Sequence, residues 1–347
     1  MKQTEITKIQ KLLDKDGNIA QAGFAKKLLW EYNRENITAR KSLIKEWDYY
    51  YIGNEKCAVC LTIADMGYIG ALSATVMDFE GVWQITKSSV VLFPMGKMKL
   101  PRTSVAGDSK YKNGEVEMTF LNDGTKRRIY GKYPKFGKNG ETLAFDVTLT
   151  DVPEESMVIA TPFAKNGRFY YNQKINCMTA NGSFSLGEKQ YPLSKENGAM
   201  ATLDWGRGVW TYDNTWYWGS LQTSLDDGTP FGFNIGYGFG NNTEATENML
   251  FYNGKSHKLD EVTFNIPKKS DGSDDFMSPW TFTSNDGRFF MDFTPIIDRY
   301  EPVDIKIFCM IPHQVFGKFT GKAVLDDGTV IEIKDKLGFA EKVHNKW

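Results

Sequence analysis

Residues 201–222, ATLDWGRGVWTYDNTWYWGSLQ, gather four Trp and two Tyr around Asp204 and Arg207. A carboxyl in an aromatic wall loses the solvation of its charged form, so it holds its proton to higher pH and can act as a general acid near neutrality. Indole and phenol faces beside it stabilise a cation by about 0.5 to 2 kcal/mol for each well-placed ring. Together they offer acid-catalysed hydration, cyclisation or isomerisation of a double bond in an apolar molecule, with no cofactor. In a regular strand Asp204 shares a face with Trp210 and Tyr212, and Arg207 points to the other side. Pairing of Arg207 with Asp204 needs a bulge, for which Gly206 and Gly208 supply the freedom, and that pair would abolish the acid. Asp204 is therefore the expected proton donor, with Arg207, Trp210, Tyr212, Trp216 and Trp218 around the ligand.

These residues must be held by strands. From Tyr49 onward short apolar runs alternate with Gly, Asn and Asp clusters, which reads as an all-β chain. The turn motif recurs as Asn122-Asp123-Gly124, Asp226-Asp227-Gly228, Asn285-Asp286-Gly287 and Asp326-Asp327-Gly328, a hairpin signal because primed turns need positive φ. A two-residue turn at Asp227-Gly228 sets Trp218 opposite Tyr237 and Trp216 opposite Phe239. Trp216, Trp218, Phe231, Phe233, Ile235, Tyr237 and Phe239 then share one face, which adds Tyr237 to the ligand-facing set. The other face, with Gly232, Asn234, Gly236, Gly238 and Gly240, is nearly bare backbone, as in a strongly curved sheet. The expected organisation is a packed extension over 1–50, helical at KIQKLLDKDG and ENITARKSLIKEW, then β domains over 51–195 and 196–347.

Composition narrows the partners. The chain has 347 residues and a formal net charge of −1, without the basic excess that phosphate binding requires, so nucleic acid is not an expected partner. Its 23 Phe, 16 Tyr and 9 Trp must fill cores or line a ligand cavity. No apolar run reaches membrane-spanning length and the charged N-terminus lacks a signal-peptide core, so the expected location is the cytoplasm. Cys57 and Cys60 fall three apart in the strand-like CAVCLTIAD and point to opposite faces, which suits buried thiols rather than a metal site; no metal is expected. Of three histidines, His313 in CMIPHQVFG alone has site-like surroundings.

Several runs resemble a known family. KLLWEYNRENI, KEWDYYYIG with LTIADMGY, DWGRGVW with WYWGS, and the ending HQVFGKFTGKAVLDDGTVIEIKDKLGFAEKVHNKW look like the family filed as domain of unknown function 2804. More distantly, RFYYNQKINCMTANGSFSLGEKQYPL, LDWGRG and WYWGSLQTSLDDG are similar to the AttH and carotenoid hydratase (hydroxyneurosporene synthase) group. That resemblance implies two lipocalin-like (calycin) antiparallel barrels. It implies that Asp204 protonates a double bond, and it brings Tyr171, of the two-tyrosine segment, among the ligand contacts. The expected partner is an apolar or amphipathic small molecule. Two other readings use the same aromatic surface: a lipid or isoprenoid carrier without catalysis, and a carbohydrate-active protein with stacking Trp and paired carboxyls.

Overall fold

A computed structural model describes residues 3–304 and 308–347. Among them, helical structure is confined to three 3-10 turns, Arg34–Asn36, Lys41–Leu43 and Lys195–Asn197. The two helices expected near the N-terminus do not form. Gln10–Lys11 instead lies parallel to Trp30–Glu31, Leu12 and Leu13 are buried in the first core, and the Asp14 carboxylate accepts from the amides of Asp16 and Asn18. Tertiary burial and side-chain capping of a turn outweigh a weak helix propensity there. The second segment makes two short turns and then becomes the strand Lys45–Gly53.

The strands form two curled antiparallel sheets. The first runs in the order Trp83–Leu92, Ile69–Asp78, Cys57–Asp65, Lys45–Gly53, Met200–Val209, Phe169–Leu186, Leu143–Thr150, Arg127–Tyr133, Glu117–Asn122, Ser109–Lys112. The second runs Lys255–Lys258, Met249–Tyr252, Pro230–Tyr237, Asp213–Ser224, Val330–Lys346, Cys309–Val324, Phe289–Arg299, Trp280–Ser284, Val262–Asn265. The chain passes from one sheet to the other at 210–212, beyond the 195/196 division read from the sequence, because the Asp204 strand is wedged between Lys45–Gly53 and Phe169–Leu186.

Central strands are buried on both faces, which is why CAVCLTIAD shows no polar alternation. Val59, Leu61 and Ile63 join the core of the first sheet, while Ala58 and Cys60 pack towards the second. Burial pushes the Cys57 thiol up to about 12. Phe231, Phe233, Ile235 and Ala340 fill the second core. Between the sheets lie two smaller clusters, one around Tyr49, Tyr51, Trp218, Phe316 and Phe339, the other around Tyr170, Trp210 and Phe239.

The central hairpin differs from its expected register. Leu225 N–H donates to Thr229 O and Gly228 N–H to Leu225 O, so the loop has three residues, with Gly228 at φ 83. Leu325, Gly328 and Thr329 repeat the arrangement. Tyr217 therefore opposes Tyr237, and Trp218 opposes Gly236. One residue of slip exchanges the faces: the Phe side fills the second core, and Trp216 and Trp218 stand over the bare glycines, facing the first sheet.

A glycine also shapes the first sheet. A methyl on Gly206 would lie 1.9 Å from Trp47 Cζ2, so only glycine lets that indole lie across the strand and stack on Tyr170, with 13° between the rings. G206A should lower stability by about 1 to 3 kcal/mol through overpacking, read by thermal unfolding with the Trp near-ultraviolet dichroism. G114A, whose methyl meets nothing within 4 Å, should match the wild type.

Candidate functional site

Each sheet presents one cross-strand row of polar residues to the other. In the first, Lys174, Asp204, Tyr49, Thr62, Ser73 and Ser88 stand opposite one another on successive strands. In the second the row is Arg299, Gln314, Glu341 and Trp218. Between them lies a cavity of about 430 Å³, walled also by Trp47, Tyr170, Trp210, Trp216, Phe239 and Trp347. It sits between the sheets, not inside either curl, where the two large cores leave no room.

Asp204, the expected proton donor, lies in an ion pair. Lys174 Nζ lies 2.8 Å from its Oδ2, and Asn172 Nδ2–H donates to its Oδ1 at 2.6 Å. The Lys174 ammonium also lies 3.8 Å from the centre of a Trp218 ring, a cation–π contact that ties the first sheet to the second.

Glu341 places another carboxyl in the cavity wall. Trp216 Nε1–H donates to its Oε1 at 2.9 Å and Gln314 Nε2–H to its Oε2 at 2.8 Å. Arg299 Nη1–H donates to Gln314 Oε1 at 2.7 Å, which fixes the direction of that amide. Burial raises the Glu341 carboxyl from 4.5 to about 7 against the opposing pull of these bonds and of the Lys174 and Arg299 charges. Glu247 is a second raised acid: burial dominates, the Asp204 charge adds, and Tyr170 is hydrogen-bonded to it.

Asp204, Trp210, Trp216 and Trp218 meet at this cavity; the other expected site residues lie outside its wall. Tyr171 points the opposite way from Tyr170, packs against Trp30 and Trp205, and donates to Trp30 O at 2.9 Å in the first core. Arg207 is fully buried on the far face of the strand, bonded to Trp47 O, Gly206 O, Pro101 O and Asp48 Oδ1. It ties its strand to Lys45–Gly53 and to the loop at Pro101, and does not touch Asp204 because no bulge interrupts the strand there. Tyr212 follows the end of its strand and is 53% exposed. The changed register turns Tyr237 into the second core, stacked on Tyr217 at 4.5 Å. His313 faces away from its neighbour Gln314, stacked between Phe276 and Tyr300 with Nδ1 2.7 Å from Asp298 Oδ2, in a separate groove.

Sequence reasoning missed Lys174, Glu247, Gln314 and Glu341, and took Arg299 for part of a surface ion pair beside Asp292 and Asp298, whereas it lines the cavity. The available signal was a charged residue enclosed by apolar strand residues, as in YYNQKINC and LGFAEKV. K174M should leave the Asp204 carboxylate buried without its cation and lower stability by about 3 to 5 kcal/mol at neutral pH. K174M/D204N should recover most of that loss in denaturant titrations.

The architecture has counterparts among solved structures. Kievitone hydratase from Nectria haematococca is 10% identical, with a TM-score of 0.54 over 97% of this chain and 98% of that one. CghA with Sch210972 is 9% identical, with a TM-score of 0.51 over 88% and 89%. A structure described as a "putative AttH" from Nitrosomonas europaea is 12% identical, with a TM-score of 0.45 over 90% and 95%. The first two share the fold. No curated protein matched the chain. One family model, Domain of unknown function (DUF2804), matches residues 3–347, and the chain belongs to that family.

Proposed function

We propose that the protein binds an apolar or amphipathic small molecule between its sheets and catalyses proton transfer to it, as a cofactor-independent hydratase, cyclase or isomerase with Glu341 as the acid. The observation that carries this reading is a carboxyl raised to about 7 in the wall of an aromatic cavity. At that value both the acid and the base form are populated near neutral pH, as an acid that must be regenerated in each turnover requires.

In a hydration, the Glu341 O–H proton passes to one carbon of the double bond and leaves positive charge on the other. Trp216 and Trp218 supply ring faces to that charge. Water adds to the cationic carbon, and the proton it loses returns to the Glu341 carboxylate, so the sum is alkene plus water to alcohol. Loss of a different carbon-bound proton to the same carboxylate gives isomerisation. Asp204 keeps Lys174 in place against Trp218, and so positions an indole rather than donating a proton. Kievitone hydratase, a hydratase by its name, supports the reading by sharing the fold.

Incubation of the protein with a metabolite extract in D₂O, followed by mass spectrometry, tests it. Wild type should place one deuterium on carbon in a specific compound. E341Q should lower that incorporation by about 100-fold or more, the usual worth of a positioned acid; equal incorporation by E341Q rules Glu341 out. Stability gives a second check. Because folding raises this pKa, the native state binds the extra proton between about pH 4.5 and 7, so the group's contribution falls as pH rises through that window, by about 3 kcal/mol. Denaturant titrations of E341Q should lack that slope.

A further inference from the structure

Among the described residues two cations line the cavity, Lys174 and Arg299, and they are not equivalent. Lys174 is matched by Asp204. Arg299 forms no ion pair among the described residues; its one hydrogen bond among them runs from Nη1 to the neutral amide of Gln314. The side chain is half-buried and reaches the cavity where Val303, Phe308, Met310 and Pro312 form the wall. Glu301, the acid at that end, accepts instead from Gln84 Nε2 at 3.0 Å. A guanidinium in apolar surroundings without a carboxylate is poorly compensated, and its planar fork matches a carboxylate through two parallel N–H bonds.

We propose that Arg299 anchors an anionic head, so the ligand class is an amphipathic acid: an apolar chain or ring system bearing one carboxylate. This rests on the reading of the cavity as a ligand site and deepens it. The Gln314 amide bridges the guanidinium to Glu341 through two hydrogen bonds, which keeps the two groups within about 8 Å of each other. A ligand held at Arg299 therefore brings a carbon a few bonds from its head to the Glu341 carboxyl, with the remainder along Trp216, Trp218 and Phe239. The anchor selects by charge, the aromatic wall by shape, and the acid acts at a fixed distance from the head.

Calorimetric titration with dodecanoate and with dodecanol at about pH 8, where the acid is charged, separates the contributions. Wild type should bind dodecanoate at least about 10-fold more tightly than dodecanol, the worth of charge-assisted hydrogen bonds. R299M should bring the acid down to the affinity of the alcohol, and R299K should keep part of the preference. Equal affinities in wild type, or a preference for the acid that survives in R299M, overturn the anchor and leave the cavity intact as a ligand site. Binding of neither probe by wild type overturns both. If R299M does not fold, R299Q takes its place: loss of the preference for the acid supports the anchor, and a preference that survives overturns it. Deuterium incorporation by E341Q equal to wild type removes the acid without touching the anchor.

Discussion

The Lys174 ammonium is a buried charge shared between the two sheets. It is held by the Asp204 carboxylate on its own sheet and rests on the Trp218 ring of the other. A buried charge is tolerated only when compensated, so the carboxylate, the Asn172 amide that fixes it and the indole that covers the ammonium form one unit. The unit decides how the sheets are set. Trp218 must stand on the side of its strand that the glycines leave bare, and its Nε1–H is taken by Asn234 Oδ1 at 2.7 Å. With Trp218 there, Trp216 falls beside Glu341 and the rest of the second row faces the cavity.

The division of labour between faces follows. Each sheet curls round its own apolar core and gives its other face to the neighbour. On that second face Asp204 pairs with Lys174, Glu341 is bonded to Trp216 and Gln314, and Glu247 to Tyr170. A carboxyl in such a place has its titration set by burial first and by neighbouring charges second. The chemistry of the site is thus a by-product of how the sheets are joined.

Much of the architecture was legible in the residues. Turn chemistry and alternation marked antiparallel strands, the runs quoted for the family matched a model over nearly the whole chain, and strand alternation placed Asp204 and Arg207 on opposite faces. Register was not legible: Asp-Asp-Gly suits a two-residue and a three-residue loop equally, and the choice reverses every side chain beyond it. Nor were the partners of the carboxyls. Lys174 reaches Asp204 from a strand earlier in the chain, and Glu341 meets Trp216 across a pairing of strands far apart in sequence. Such contacts are made by topology, which local pattern does not encode. The N-terminal segments misled for a related reason, since the burial of Leu12 and Leu13 decides their conformation.

Placing the cavity between sheets rather than within a curl separates two kinds of selection. Residues inside each curl build its core, so substitutions on the inter-sheet faces can reshape the cavity while both cores stay as they are. Since opposite walls belong to different hydrogen-bonded ladders, a slight slide of one sheet over the other alters the width of the chamber without breaking any ladder bond. A lineage could reshape the chamber through that sliding coordinate.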